Sequence, residues 1–207
     1  MAGVMFNSSK NILKARCDSL SVVLKLLFWV YAIYLIIFLG TGLWLMFQPS
    51  GDFGIRLLDT GNGIAGYGFF KGGLEVDFAR DLLNGKSMES PKTVYLAGYF
   101  GGFVVKAITL AILWNIKNIF KRIDEDHSPF MNQCCKSIFS IGVLVIISAF
   151  VRSAFVPTAL GITGYLESAS ATSVGFWYSM IIGGIIISLS YIFEYGTSLQ
   201  IESDETL

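Results

Sequence analysis

Leu26-Leu27-Phe28-Trp29-Val30-Tyr31-Ala32-Ile33-Tyr34-Leu35-Ile36-Ile37-Phe38-Leu39-Gly40-Thr41-Gly42-Leu43-Trp44-Leu45-Met46-Phe47 holds no charged residue across 22 positions. At about 1.5 Å of rise per residue, a helix of that length crosses a hydrocarbon core of roughly 30 Å. The run reaches back to Val22 and is broken only by Lys25. Three more runs follow: Val94 to Ile116 with Lys106 inside it, Ile138 to Val156 with Arg152 near its end, and Val174 to Phe193 with no charge. Backbone facing lipid must satisfy its own hydrogen bonds, so each run is read as a helix. The expected fold is an all-α membrane protein, a four-transmembrane-helix bundle forming one domain over residues 1–207. Its helices are expected at about 22–47, 94–120, 137–156 and 174–194, with an outer loop 48–93, an inner loop 121–136 and a tail 195–207.

Whole-chain composition agrees. Of the 207 residues, 54% are hydrophobic and 14% charged, against about 45–50% and about 25% in soluble domains. Fifteen Lys and Arg cancel fifteen Asp and Glu, so no overall field exists for gripping nucleic acid. The first apolar run is too long for a signal peptide and lacks a small-x-small site, so it is expected to stay attached.

Orientation follows from Lys and Arg near the helix ends. With the N-terminus inside, the inner side holds Lys10, Lys14, Arg16 and Lys25, then Lys117, Lys121, Arg122 and Lys136. The loop from Pro157 to Ser173 has none. Arg56, Lys71, Arg80, Lys86 and Lys92 are diluted through the large outer loop and matched by acids. Both termini are therefore expected in the cytoplasm. Cys17, Cys134 and Cys135 all fall on that side, which predicts free thiols and no disulfide. No second His or further Cys completes a metal set around Cys134 and Cys135, so they read as small apolar residues, and no metal or cofactor is expected.

Residues 1–21 mix Met5, Phe6, Ile12 and Leu13 with Lys10, Lys14 and Arg16 after a Ser8 or Ser9 cap. They read either as a short amphipathic helix on the inner leaflet or as a frayed terminus. In the outer loop, Ile55-Arg56-Leu57 and Leu74-Glu75-Val76-Asp77-Phe78 alternate with period two, predicting a small β-hairpin cap. Ala79 to Asn84 then read as a helical turn. The glycine-rich run Gly61 to Gly68 has no strand and no Lys-Ser/Thr helix start around it, so it is not a phosphate loop. The cap either reads a solute or only covers polar helix ends.

Ile116, Ile119, Phe120 and Ile123 carry a helical stripe beyond the membrane, until Asp124 to His127 break it and Ser128-Pro129 start the next helix. His127, the single histidine, reads as a solvated loop residue rather than a catalyst. The tail contributes Glu194, Glu202, Asp204 and Glu205 with no base. It reads as a short acidic strip, or as a disordered end.

The pattern Ile119-Phe120 to Ile123, Ser128-Pro129-Phe130 and the start of the third helix through Ile138 to Gly142 resembles domain-of-unknown-function family 2975. The ending Tyr191-Ile192-Phe193-Glu194-Tyr195-Gly196, with Leu199-Gln200 and Asp204-Glu205-Thr206-Leu207, is also similar to that family. His127 departs from it, standing where glycine or lysine is usual. The resemblance covers the second half of the chain. It implies a four-helix bacterial membrane protein of the inner membrane, often encoded beside a small helix-turn-helix regulator, with no activity or binding residues to carry over.

Lys106, mid-helix, would cost about 2.5–3.5 kcal/mol if left uncompensated in the bilayer. It reads as either a functional cavity residue or a polar packing element, with helix-end carbonyls, water, Glu167 or Asp77 as candidate partners. Arg152 can snorkel outward. Gly98 and Gly102 on the second helix, and Gly175, Ser179 and Gly183 on the fourth, are spaced for close helix approach, and these two helices are expected to pack on each other. The tail acids are expected to dock on Lys117, Lys121 and Arg122. The functional expectation is a non-enzymatic membrane sensor or regulator that holds or releases the helix-turn-helix partner. The alternative is a small transporter or channel lined by Lys106, although no inverted repeat or broken helix supports one.

Overall fold

The computed structural model describes residues 2–59, 64–79, 90–126, 132–155 and 174–205. It is mostly helical, with four helices among the described residues long and apolar enough to cross a membrane and a small sheet between the first two. The elements are α1 (Ala2–Met46), β1 (Gly54–Asp59), β2 (Ile64–Lys71), β3 (Leu74–Ala79), α2 (Pro91–Asp126), α3 (Asn132–Phe150) and α4 (Val174–Glu205). A 3-10 turn, Ser50–Asp52, follows α1, and a π-helical turn, Val151–Phe155, continues α3.

The helices outrun their apolar cores. From Val4 to Leu39 the chain has neither Gly nor Pro, so nothing interrupts α1, and the separate N-terminal helix expected on the leaflet is instead the first part of one helix. The same holds at the other end. Residues 195–205, expected as a tail, are α4. α2 starts at Pro91, a favoured first helical position, and runs through Ile116, Ile119, Phe120 and Ile123 to Asp126.

The expected hairpin is a three-stranded antiparallel meander in the order β1-β2-β3. β2 takes in the second half of the glycine-rich run, Ile64 to Gly68, for which the sequence predicts no strand. Its pairing fixes it: Arg56↔Gly68↔Asp77 and Gly54↔Phe70↔Glu75 lie in register across the three strands. The β2–β3 turn is Gly72-Gly73, with Gly72 at φ 60, a geometry that a two-residue hairpin turn requires and glycine supplies without strain.

The chain divides into two compact units. One comprises Met1–Tyr34, Ile108–Ile146 and Ser179–Leu207; the other comprises Leu35–Ala107 and Ile147–Tyr178. The second holds a buried apolar core, formed where Phe53, Phe69 and Phe78 of the sheet region meet Leu45 of α1 and Val94, Tyr95 and Tyr99 of α2. Within this unit α1 and α2 run antiparallel, since Phe38 meets Phe103, Gly42 meets Tyr99, and Lys92 reaches Met46. Within the first unit, α3 and α4 run antiparallel. Cys135 meets Thr197, Phe139 meets Tyr191, Gly142 meets Ile187, and Ile146 meets Gly183.

Elsewhere the helices present apolar side chains outward. Ile36 is 71% exposed, Trp29 64% and Ile192 65%. Hydroxyls on these helices turn back onto their own backbone: Thr41 donates to Ile37 O at 2.8 Å, Ser188 to Gly184 O at 2.9 Å, and Ser198 to Tyr195 O at 2.8 Å. Neither feature suits water. Both suit a multi-pass protein whose surrounding solvent is lipid.

Candidate functional site

Lys106 is compensated by an aromatic face. Its Nζ lies 4.3 Å from the centroid of Phe38, a cation–π contact strengthened where water is scarce. Phe38 in turn stacks on Tyr99, with ring centroids 4.0 Å apart and planes 2° apart, and the Tyr99 hydroxyl donates to Phe38 O at 2.8 Å. Lys106 Nζ also lies 3.5 Å from where a Cβ on Gly102 would be, so Gly102 leaves space for the ammonium rather than for another helix. Asp77, one candidate partner from sequence, sits on the sheet, and Glu167 lies outside the described residues.

The cap end of α1 is closed by two lysines that the sequence left as diluted surface charge. Lys92 donates to Met46 O at 2.9 Å and to Gln48 O at 2.6 Å, placing a cation on the negative end of the helix dipole. Lys71 pairs with Asp52 and donates to Gln48 Oε1 at 3.3 Å.

The small residues meet other partners than expected. A Cβ on Gly98 would lie 2.5 Å from Val76 Cγ1 and 2.6 Å from Phe78 Cζ, so Gly98 makes room for β3. A Cβ on Gly183 would lie 2.5 Å from Ile146 Cγ1 and 2.9 Å from Gly142 O, so α4 uses this glycine against α3. Gly175 is exposed and Ser179 half-buried. Gly98 thus serves the sheet and Gly183 serves α3. Gly142 and Gly42, which sequence reasoning did not single out, make the close approaches. Tyr99 Cε1 lies 2.7 Å from a Cβ at Gly42. Neither glycine has a small partner at four-residue spacing in its own helix, so spacing gives no sign of them.

At the acidic end, Glu194 shares a recess of about 190 Å³ with Cys135, Lys136, Phe139, Ser190 and Tyr191. Cys134 and Cys135 are buried free thiols. Cys135 Sγ lies 3.8 Å from Thr197 Oγ1. Since that hydroxyl already donates to Phe193 O at 2.9 Å, the thiol is the donor. Glu194, Glu202 and Glu205 are exposed on α4, and among the described residues they enter no ion pair. Among the described residues, no contact of Glu194, Glu202 or Glu205 with Lys117 or Arg122 is present. Lys117 lies instead over Trp114 at 3.9 Å and Phe28 at 4.5 Å. Arg152 is exposed in the π-helical turn, where Ser153 Oγ donates to Ala149 O at 2.9 Å.

His127, the 157–173 loop, the 80–84 turn, Gly61 to Gly63 and the side chains of Cys17 and Asp204 lie outside the described residues. Among the described residues no group of three or more His, Cys, Asp or Glu is placed to hold a metal. Compared with known proteins, the chain matches no family model, no curated protein and no solved structure.

Proposed function

We propose that this chain is a non-enzymatic regulator of the bacterial inner membrane, a four-helix bundle with both termini in the cytoplasm, whose acidic α4 end holds or releases a basic helix-turn-helix transcription factor. The observation that carries this reading is the helical continuation of α4 to Glu205 with Glu194, Glu202 and Glu205 exposed and unpaired among the described residues. An ordered acidic helix competes with DNA phosphate for the same Lys and Arg side chains. The partner's class rests on the likeness to family 2975.

Orientation is supported by the charge count and by the part Lys71 and Lys92 play. Both are absorbed by the end of α1, so neither counts against the basic clusters around α1 and between α2 and α3 as the inner side. The transporter reading, the alternative, would use Lys106 as a path-lining residue, whereas the contact of Lys106 with Phe38 supports a packing role.

The test is co-purification in detergent of the full-length protein with the protein encoded beside it, which the proposal expects to be a small helix-turn-helix regulator. Capture should fall at least about tenfold in Glu194→Gln/Glu202→Gln/Glu205→Gln, and with rising salt. Substitution is preferable to deleting 194–207, which would also remove the Thr197 contact to Cys135. Failure of the wild-type chain to capture the regulator contradicts the proposal.

A further inference from the structure

The outward face of the sheet has a composition that its core face does not explain. Ile55, Tyr67, Phe69, Val76 and Phe78 face the core. On the other face, ladder partners put Arg56 of β1, Gly68 of β2 and Asp77 of β3 in one row, and Gly54, Phe70 and Glu75 in the next. The middle strand thus contributes a glycine where a side chain would otherwise stand between Arg56 and the acids. With neighbouring strands about 4.8 Å apart, the outer two are roughly 10 Å apart across it.

Glu75 leans into the space left at Gly68, where its Oε1 would collide with a Cβ, and Asp77 Oδ1 lies 3.1 Å from that same point. Arg56, Phe70, Gly72, Gly73 and Glu75 line an adjoining recess of about 280 Å³ that Glu75 shares with this point. A guanidinium and a carboxylate facing one recess ordinarily pair with each other. Here, among the described residues, Arg56, Glu75 and Asp77 enter no ion pair.

We propose that this recess, made by Arg56, Phe70, the Gly72-Gly73 turn and Glu75 with Asp77 beside it, binds a small zwitterion of the α-amino-acid class. The ligand carboxylate lies on the planar fork of Arg56, which suits bidentate pairing. Its ammonium lies between Glu75 and Asp77. Phe70 and the glycine turn give the apolar wall and the close backbone approach that a compact ligand needs. The recess has room for one amino acid. The ligand's two charges complete both halves of the recess, and a single charge completes one and leaves the other repelled or exposed. This inference deepens the sensor reading by naming what the cap reads, and rests on that reading for its biological meaning, but the binding itself does not depend on any regulator.

The experiment is calorimetric titration of the full-length protein in nanodiscs with the standard L-α-amino acids, with acetate and methylammonium as single-charge halves. At least one amino acid should bind in the millimolar range or tighter, at least about tenfold tighter than either half. Arg56→Gln and Glu75→Gln, both at exposed positions, should each weaken it at least about tenfold with unchanged thermal stability. Gly68→Ala, which expels the Glu75 carboxylate from its place, should do the same. Absence of binding by every amino acid, equal binding of methylammonium or acetate alone, or binding indifferent to all three substitutions overturns the site. If titration fails while the regulator still co-purifies, only the site falls; if titration succeeds and capture fails, only the regulator reading falls.

Discussion

Two seams hold the helices, and they are built from opposite materials. Between α1 and α2 the contacts are aromatic, with Phe38 on Tyr99 and Phe103, and Phe28 on Trp114 at 5.4 Å. Between α3 and α4 the central contact is glycine against glycine, with Gly142 and Gly183 each placed against the other's carbonyl oxygen. The aromatic seam has a sheet at one end and surrounds a lysine, so it requires large rings that fill space and a face for Lys106. The small-residue seam has an aromatic pair, Phe139 on Tyr191, only to one side of its glycine contact. Within lipid, where apolar burial gives no net drive, backbone approach and dispersion must hold it. The first seam is thus expected to fail by losing volume, and the second by gaining it.

The largest effect is expected at the sheet end of the aromatic seam. Phe69 is fully buried, and Phe69→Ala should cost about 3–5 kcal/mol, read as a lower midpoint in thermal or denaturant unfolding in detergent. Gly142→Leu should cost less, about 1–3 kcal/mol, because α3 and α4 can separate locally where the leucine meets Gly183 O and Ile187. Tyr99 and Phe38 contacts should be unchanged by it. A Gly142→Leu protein as stable as wild type would show that the second seam is not closely packed.

A third prediction concerns what each seam does with charge. The Lys106–Phe38 contact should show a coupling of about 0.5–2 kcal/mol in a double-mutant cycle of Lys106→Met and Phe38→Leu; additive effects would remove the cation–π account of Lys106. The smallest effect is expected for Lys92→Ala. Losing a cation from the α1 terminus should cost about 0.3–1 kcal/mol, with the remaining fold unchanged by circular dichroism.

The sequence makes the helices legible because lipid demands long uncharged runs, and those runs are visible one residue at a time. It hides their ends. Thr197 is polar but packs on Cys135, and Glu202 and Glu205 simply extend a helix that has no reason to stop. β1 and β3 are legible from period-two alternation. β2 is not, since Gly66 and Gly68 carry no strand preference and are held as a strand only by partners on both sides. The position of Lys106 marks it as needing compensation, yet its partner Phe38 is one ring among many and emerges only from the packing of α1 on α2. The helix-facing glycines show the same limit. Regular spacing pointed to Gly98 and Gly183, which do make close contacts, but with β3 and α3, and it gave no sign of Gly42 or Gly142, because proximity depends on which element arrives.

α4 is braced by α3 beyond its apolar core, so that its acids stand on an ordered helix. Thr197→Cys tests this most directly, since the residue it replaces has its Oγ1 3.8 Å from the Cys135 Sγ and a modest rotamer change brings two sulfurs to bonding distance. In native membranes treated with a mild oxidant, a link between Cys135 and the new thiol should form in most molecules and be found by mass spectrometry of the joined peptides. Its absence, with the new thiol instead freely alkylated, would show that the acidic end is loose and would contradict the account.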